Sequence, residues 1–310
     1  LITAPPAGVY ASLLDPPEAL MSNIPRSLFR LSAVVGLAAL IGGCSLLPDK
    51  HAINKDKLEA AIDAAMGGRS TCVVLLDAKT GLSLYQYGSA EVCRTLLPPC
   101  STFDVPLALV GLDQGLITPQ TVYKWDNTPQ KVKAWETDAD ITKAFHDDIG
   151  WWWANLATAI GHDRLSDAAR RFDYGNKFVD GPVTSFWMGP PNGGALGLTT
   201  EQQAHFFKRF YDGSLGLKPA TTQFMQALLV REVGDDSRTG RAVFSAAEGA
   251  CPSNADGSNT VGWAAGRLQS KDHDIVFAAS VNSADAPPGV EIRDKLADIF
   301  ASGGLWPNAG

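Results

Sequence analysis

Short, β-rich apolar runs sit near both ends of this chain, and helical patterns fill the space between them. That order limits the fold more than any other feature. Residues 71–77 (TCVVLLD) and 82–88 (LSLYQYG) are joined by AKTG and read as a hairpin, with Lys79-Thr80-Gly81 as turn chemistry. Far downstream, 241–249, 260–268 and 274–282 read as strands. From 101 to about 190 the pattern is mostly helical, with helices over 106–115, 151–161 and 165–172. Helices over 201–213 and 222–233 follow, and 57–66 and 290–300 are helical at the ends. A sheet assembled from both ends, with helices inserted between its strands, is an α/β protein of the α+β type. No repeat of fixed period interrupts this plan.

With 310 residues, 45% hydrophobic and 19% charged, the chain is long enough for one large domain or two interlocked ones. Its net charge is −7 and it has no Lys/Arg run, which argues against nucleic acid as a partner. Residues 1–20 precede Met21 and read as upstream sequence. From Met21, MSNIPRSLFR is followed by LSAVVGLAALIGG and Cys44, the layout of a secretory signal. Ile41-Gly42-Gly43-Cys44 resembles the bacterial lipobox, in which the cysteine is lipidated. The expected organisation is a leader over 1–43, a polar tether over 44–56 and a folded domain over 57–306. The resemblance implies an exported bacterial lipoprotein, anchored through Cys44 and facing the periplasm. Ser45 after the cysteine favours the outer membrane.

Four further cysteines, Cys72, Cys93, Cys100 and Cys251, suggest two disulfides in an exported protein. Three pairings are possible. Cys72–Cys93 is favoured because the two flank the hairpin, which leaves Cys100–Cys251. The histidines at 51, 146, 162, 205 and 273 lack a convincing metal spacing, so neither metal nor cofactor is expected. Trp151, Trp152 and Trp153 read as a helix packed in the core.

Residues 100–106 (CSTFDVP) lead into the helix pattern over 106–115 and allow two readings. Ser101 and Asp104 fit a capping box, although Pro106 would then fall past the first turn. Alternatively Asp104 is itself the N-cap, with Pro106 in the first turn.

The segment PPCSTFDVPLALVGLDQGLI also resembles the nucleophile segment of the class D (oxacillinase-type) β-lactamases, among the penicillin-recognising serine enzymes, which carry S-x-x-K there. Tyr174-Gly175-Asn176 is similar to the class D Y-G-N motif, and Trp187 in SFWMG to the stretch holding an active-site Trp. GWAAG (262–266) and DIVFAASVN (274–282) resemble the last two strands. The resemblance runs from about Cys72 to Ile299. It implies a serine β-lactamase/transpeptidase-like fold, an antiparallel sheet flanked by helices with a helical subdomain inserted over about 101–190. The site would lie between them.

In that family a serine at a helix N-terminus attacks the lactam. A carbamylated lysine one turn later activates it, a second serine relays protons, and K-T-G binds the carboxylate. Backbone N–H groups form the oxyanion hole. Here the lysine is Asp104, and the relay serine is Asp148. K-T-G falls within Ala246-Ala247-Glu248-Gly249, with Ala247, Glu248 and Gly249 expected at the pocket beside Tyr174, Gly175, Asn176 and Trp187. Three acidic residues are expected to make the pocket anionic, and Arg267 reads as a solvated strand residue more readily than as a source of positive charge there. Arg238-Thr239-Gly240 reads as a turn and not a displaced K-T-G.

These losses imply a catalytically impaired pseudoenzyme at Ser101 that binds a peptidoglycan fragment, a β-lactam or an envelope protein. The alternative is an active serine hydrolase using Asp104 as base, and a third reading is a structural lipoprotein with a vestigial pocket.

Overall fold

The computed structural model describes residues 53–191, 193–236 and 240–305. The leader, Cys44, most of the tether, and Arg238 and Thr239 lie outside the described residues.

Helix α1 (Lys55–Met66) leads into strands β1 (Ser70–Asp77) and β2 (Ser83–Tyr87). Asp77 closes their turn by accepting hydrogen bonds from the Thr80 backbone N–H (2.6 Å) and hydroxyl (2.7 Å). Lys79-Thr80-Gly81 is thus a turn. The short helix α2 (Ala90–Arg94) and a 3-10 turn (Cys100–Phe103) precede α3 (Asp104–Asp113). Next come α4 (Ile141–His146), α5 (Gly150–Ile160), α6 (His162–Arg171), α7 (Thr200–Tyr211) and α8 (Pro219–Leu228). Strands β3 (Val230–Asp236), β4 (Gly240–Pro252), β5 (Thr260–Gln269) and β6 (Asp274–Ser283) follow, and α9 (Gly289–Ser302) ends the described chain.

The strands form one antiparallel sheet in the order β2-β1-β6-β5-β4-β3. The two ends of the chain meet where β1 pairs β6, with Leu75 opposite Phe277. Successive strand residues face opposite sides. Val73 and Leu75 pack with Leu58 and Ile62 of α1 and Leu296 and Phe300 of α9. Val74 and Leu76 face the other way, into the layer holding α3, α5 and α7. Burial on both faces explains why β1 reads as a continuous apolar run and not an alternating one.

Two expectations need correction. The helix read over 222–233 stops at Leu228, and Val230 begins a strand opposite Ser245. No Gly or Pro marks that boundary; β-branched Val230 and Val233 at the sheet edge decide it. Residues 101–190 are also less helical than expected, because helix ends at Arg171 and 172–190 run as turns and loop. Glycines 175, 181 and 189 there all have positive φ, and prolines 182, 190 and 191 further break helical pairing.

Both expected disulfides form, Cys72–Cys93 and Cys100–Cys251. No helix among the described residues is long and apolar enough to cross a membrane.

Candidate functional site

Strand β3 accompanies β4 only as far as Ser245, and the Ala246 N–H then bonds the Leu229 carbonyl. Beyond this point the outer edge of β4 borders a cleft. Since N–H groups alternate sides along a strand, the Ala250 N–H shares the outward edge with that of Ala246. Ala250 lines the cleft, so its backbone donor is available to an oxyanion there.

Opposite β4 stands the 3-10 turn that carries Ser101. Four features fix it. Cys100 is bonded to Cys251 of β4, and its N–H donates to the Trp187 carbonyl (3.0 Å). Trp263 Nε1 donates to the Pro98 carbonyl (2.8 Å). Phe103 packs edge-on against Tyr174 and Phe186 and stacks on Trp187. Finally, a Cβ added at Gly249 would lie 2.6 Å from the Ser101 nitrogen, so strand and turn meet at a distance only glycine permits. Neither capping reading of the sequence holds. Ser101 lies inside the 3-10 turn, and α3 has no side-chain cap. The turn continues the helical path, with Pro106 in the first turn of α3, where a missing N–H costs least.

The cleft has a volume of about 460 Å3. Ser101, Asp104, Asp148, Glu248 and Gly249 line it together. Asp104 lies one helical turn after Ser101 and is only 4% exposed. Its carboxyl takes no hydrogen bond from the described residues, and burial, reinforced by Asp148, pushes its pKa well above the ordinary range. Asp148 sits between α4 and α5 with left-handed backbone (φ 49°), which aspartate tolerates better than most residues. The residue opens onto the cleft mouth, but protein crowds its carboxyl. Desolvation pushes its pKa up to about 6, against the pull of a hydrogen bond from Ser101, and Glu248 adds to the rise.

The opposite wall is cationic, which the sequence reading missed. Arg231 of β3 and Arg293 of α9 both grip Glu248, at 3.2 and 2.7 Å. Arg231 also donates from Nε to the Ala246 carbonyl (3.0 Å), contacts His146 Nδ1 (2.7 Å) and lies over the Phe145 ring. Burial and the Arg231 charge hold His146 below the ordinary histidine range, so it is neutral at pH 7 and accepts from the guanidinium. The pocket is therefore not simply anionic: two guanidiniums share it with the carboxyl groups of Asp104, Asp147, Asp148 and Glu248. Arg267, weighed from sequence as a source of positive charge but read more readily as a strand residue outside the pocket, binds Asp274 through two 2.7 Å bonds and lies over Tyr211, because strand alternation turns it away. Arg231 was hidden in the misread 222–233 segment. Arg293 carries no local signal, since its place follows only from α9 crossing the sheet.

Tyr174, Gly175, Asn176, Trp187 and Ala247 are not among the residues lining the cleft. Tyr174 and Trp187 are buried behind Phe103, and Ala247 points into the core layer under the sheet. Asn176 is a loop clamp. Its Nδ2 donates to the Ala195 carbonyl (2.7 Å), and its Oδ1 accepts from Phe178 and Gly197 N–H groups. Gly175 has φ 53°, and a Cβ there would lie 2.3 Å from the Gly197 oxygen. Trp152 and Trp153 are core, as read, while Trp151 is half-buried and donates to the Trp135 carbonyl (2.8 Å). Among the described residues no group of three or more His, Cys, Asp or Glu could hold a metal ion.

A sheet closed by both chain ends, with a serine turn facing a bare strand edge across a cleft, is the serine β-lactamase/transpeptidase architecture. Residues 71–300 match the penicillin-binding protein transpeptidase domain, and the chain belongs to that family. Its relatives point to the class D branch. β-Lactamase OXA-9 of Klebsiella pneumoniae is 24% identical over 251 residues, covering 73% of this chain and 85% of that protein. The class D β-lactamase YbXI from Nostoc superposes with a TM-score of 0.69 at 22% identity, covering 82% of this chain and 99% of that one. The C-terminal domain of the Bacillus licheniformis BlaR penicillin-receptor gives 0.69 at 22% identity, covering 81% and 96%.

Proposed function

We propose that this chain is a cell-envelope lipoprotein, exported and held at the outer membrane through Cys44. In this reading its Ser101 cleft binds a cell-wall fragment or an envelope protein without turning over β-lactams. The observation that carries the reading is Asp104. Lysine-dependent activation of Ser101 needs an amine that can hold a carbamate and take a proton. In its place stands a buried carboxyl whose pKa burial pushes well above the ordinary range, with no cation beside it among the described residues. Losing a general base lowers rate by roughly 10²- to 10⁴-fold. That one structural neighbour is a penicillin-receptor is compatible with a binding role on this scaffold.

The test is intact-protein mass spectrometry of the full chain after hours with excess benzylpenicillin, from acid to neutral pH, with Ser101→Ala as control. No adduct at any pH is the expected result. An adduct that needs Ser101 sinks the non-catalytic reading.

One observation favours a second reading. Asp148, not Asp104, has the Ser101 hydroxyl acting on its carboxyl, and with a pKa of about 6 it is mostly ionised at pH 7. A Ser101 hydrolase would therefore use Asp148 as base, in place of the Asp104 role expected from sequence. Its mark is an acylation rate that rises through pH 6 and disappears in Asp148→Asn.

A further inference from the structure

Charge is ordered along the cleft. Asp104 is the deepest group and acts electrostatically on Asp148. Asp148 stands against Ser101 and feels Glu248. Glu248 in turn holds Arg231 and Arg293. One end of the row is thus carboxylic and the other guanidinium, within a single cavity whose volume suits a small molecule.

The two ends are unequally satisfied. Glu248, Ala246 and His146 orient Arg231, and Glu248 and Asp294 orient Arg293. A guanidinium carries five donors, so both remain able to receive a further anion in a fixed geometry. At the other end the Asp104 carboxyl lines the cavity, is 4% exposed, and has no hydrogen-bond partner among the described residues. A largely desolvated carboxyl that still opens on the cavity gains from a ligand that brings it a donor.

We propose that the cleft recognises a zwitterion, with the ligand's ammonium group seated at Asp104 and Asp148 and its carboxylate at Arg231 and Arg293. The proposal rests on the binding reading above and names its ligand class, an amino-acid or short peptide derivative carrying a free amine and a free carboxylate. In effect the ligand supplies the amine that the S-x-x-K position of this chain lacks. A dianion or a plain carboxylate satisfies one end only and leaves Asp104 unpartnered. No covalent step is involved, so binding and release depend on charge and hydrogen bonding alone.

The experiment uses the full chain and three matched probe sets of four, six and eight carbons: the ω-amino acids, the corresponding alkylamines and the corresponding carboxylates. Affinity is measured by calorimetry at fixed pH and salt. At the length that spans the cleft, the amino acid is expected to bind about tenfold or more tighter than either one-ended probe, the scale of one charge-assisted hydrogen bond. Asp104→Asn should narrow that gap, and Asp104→Lys, which places a built-in ammonium at the same spot, should abolish it. Arg293→Gln should remove the gain over the alkylamine while leaving the gain over the carboxylate. Thermal melts of each variant check that it folds, and the near-isosteric Asp104→Asn keeps the test sharp if Asp104→Lys does not.

Equal affinity across the three classes at every length overturns the proposal, as does absence of binding by all of them. So does a preference that survives both Asp104 variants. Penicillin acylation is a separate readout. An adduct there with zwitterion binding intact overturns the non-catalytic reading alone, and no adduct with no zwitterion binding overturns the ligand class alone.

Discussion

Two regions of this molecule carry family motifs, and they have diverged in opposite ways. Tyr174-Gly175-Asn176 matches the class D pattern, yet these residues sit behind the cleft and clamp loops together. The positions read from the sequence as S-x-x-K, S-x-V and K-T-G carry Asp104, Asp148 and Ala247-Glu248, and Asp104, Asp148 and Glu248 face the cavity. The contrast separates two constraints. A clamp that fixes the loop behind Phe103 is needed whatever the cleft binds. The cleft walls depend on the ligand, so a motif match by itself reports fold and not chemistry.

The comparison is broken or sharpened by substitution. The largest effect is expected from Gly175→Ala, where a Cβ would meet the Gly197 carbonyl oxygen and the backbone is left-handed. It should destabilise by about 3 kcal/mol in urea unfolding; a loss below ~1 kcal/mol would mean the clamp yields freely. Asn176→Ala removes three hydrogen bonds and should cost about 2 kcal/mol by the same measurement.

The cleft should behave in the reverse sense. Asp104→Leu deletes an unpartnered buried carboxyl and should stabilise by about 1 kcal/mol. It should also flatten the pH dependence. Asp104 and Asp148 both have folded pKa values above the ordinary 3.8, so the folded state holds protons that the unfolded state releases. The share of stability that these two groups hold is therefore greatest in acid and falls as pH rises from about 4 through 6, where Asp148 titrates. Thermal melts between pH 4.5 and 7.5 check this, with solvent at the cleft mouth softening the share of Asp148. A melting temperature that climbs over that range contradicts the assignment. The smallest effect belongs to Tyr174→Phe. Among the described residues the buried Tyr174 hydroxyl has no hydrogen-bond partner, so its loss should change stability by no more than about 0.5 kcal/mol.

Much of this was legible in the sequence where local pattern and tertiary demand agree. The hairpin, both disulfides and the meeting of Ser101, Asp104, Asp148 and Glu248 follow from runs, cysteine positions and motif register. What was not legible depends on elements remote in sequence. Val230 reads as helix because Leu228 and Leu229 extend the helical apolar pattern, and only pairing with Ser245 makes it a strand. Arg231 went unnoticed for the same reason. Arg293 and Arg267 are both arginines on regular elements. Only the packing of α9 over β4 turns the first to Glu248, while β5 turns the second to Asp274. The cleft's balance of charge was therefore misread, because acidic positions were visible through motifs and basic ones were not.

The Cys100–Cys251 bond has a further consequence. It joins residues 151 positions apart, so the polypeptide between them is a covalent ring containing α3 to α8, β3 and most of β4. A single peptide cleavage anywhere in that ring leaves both halves attached to each other. Proteolytic nicking of the long loops at 114–140 or 172–199 would thus release no fragment until a reductant acts. The molecule is built so that a cut and a loss are separate events.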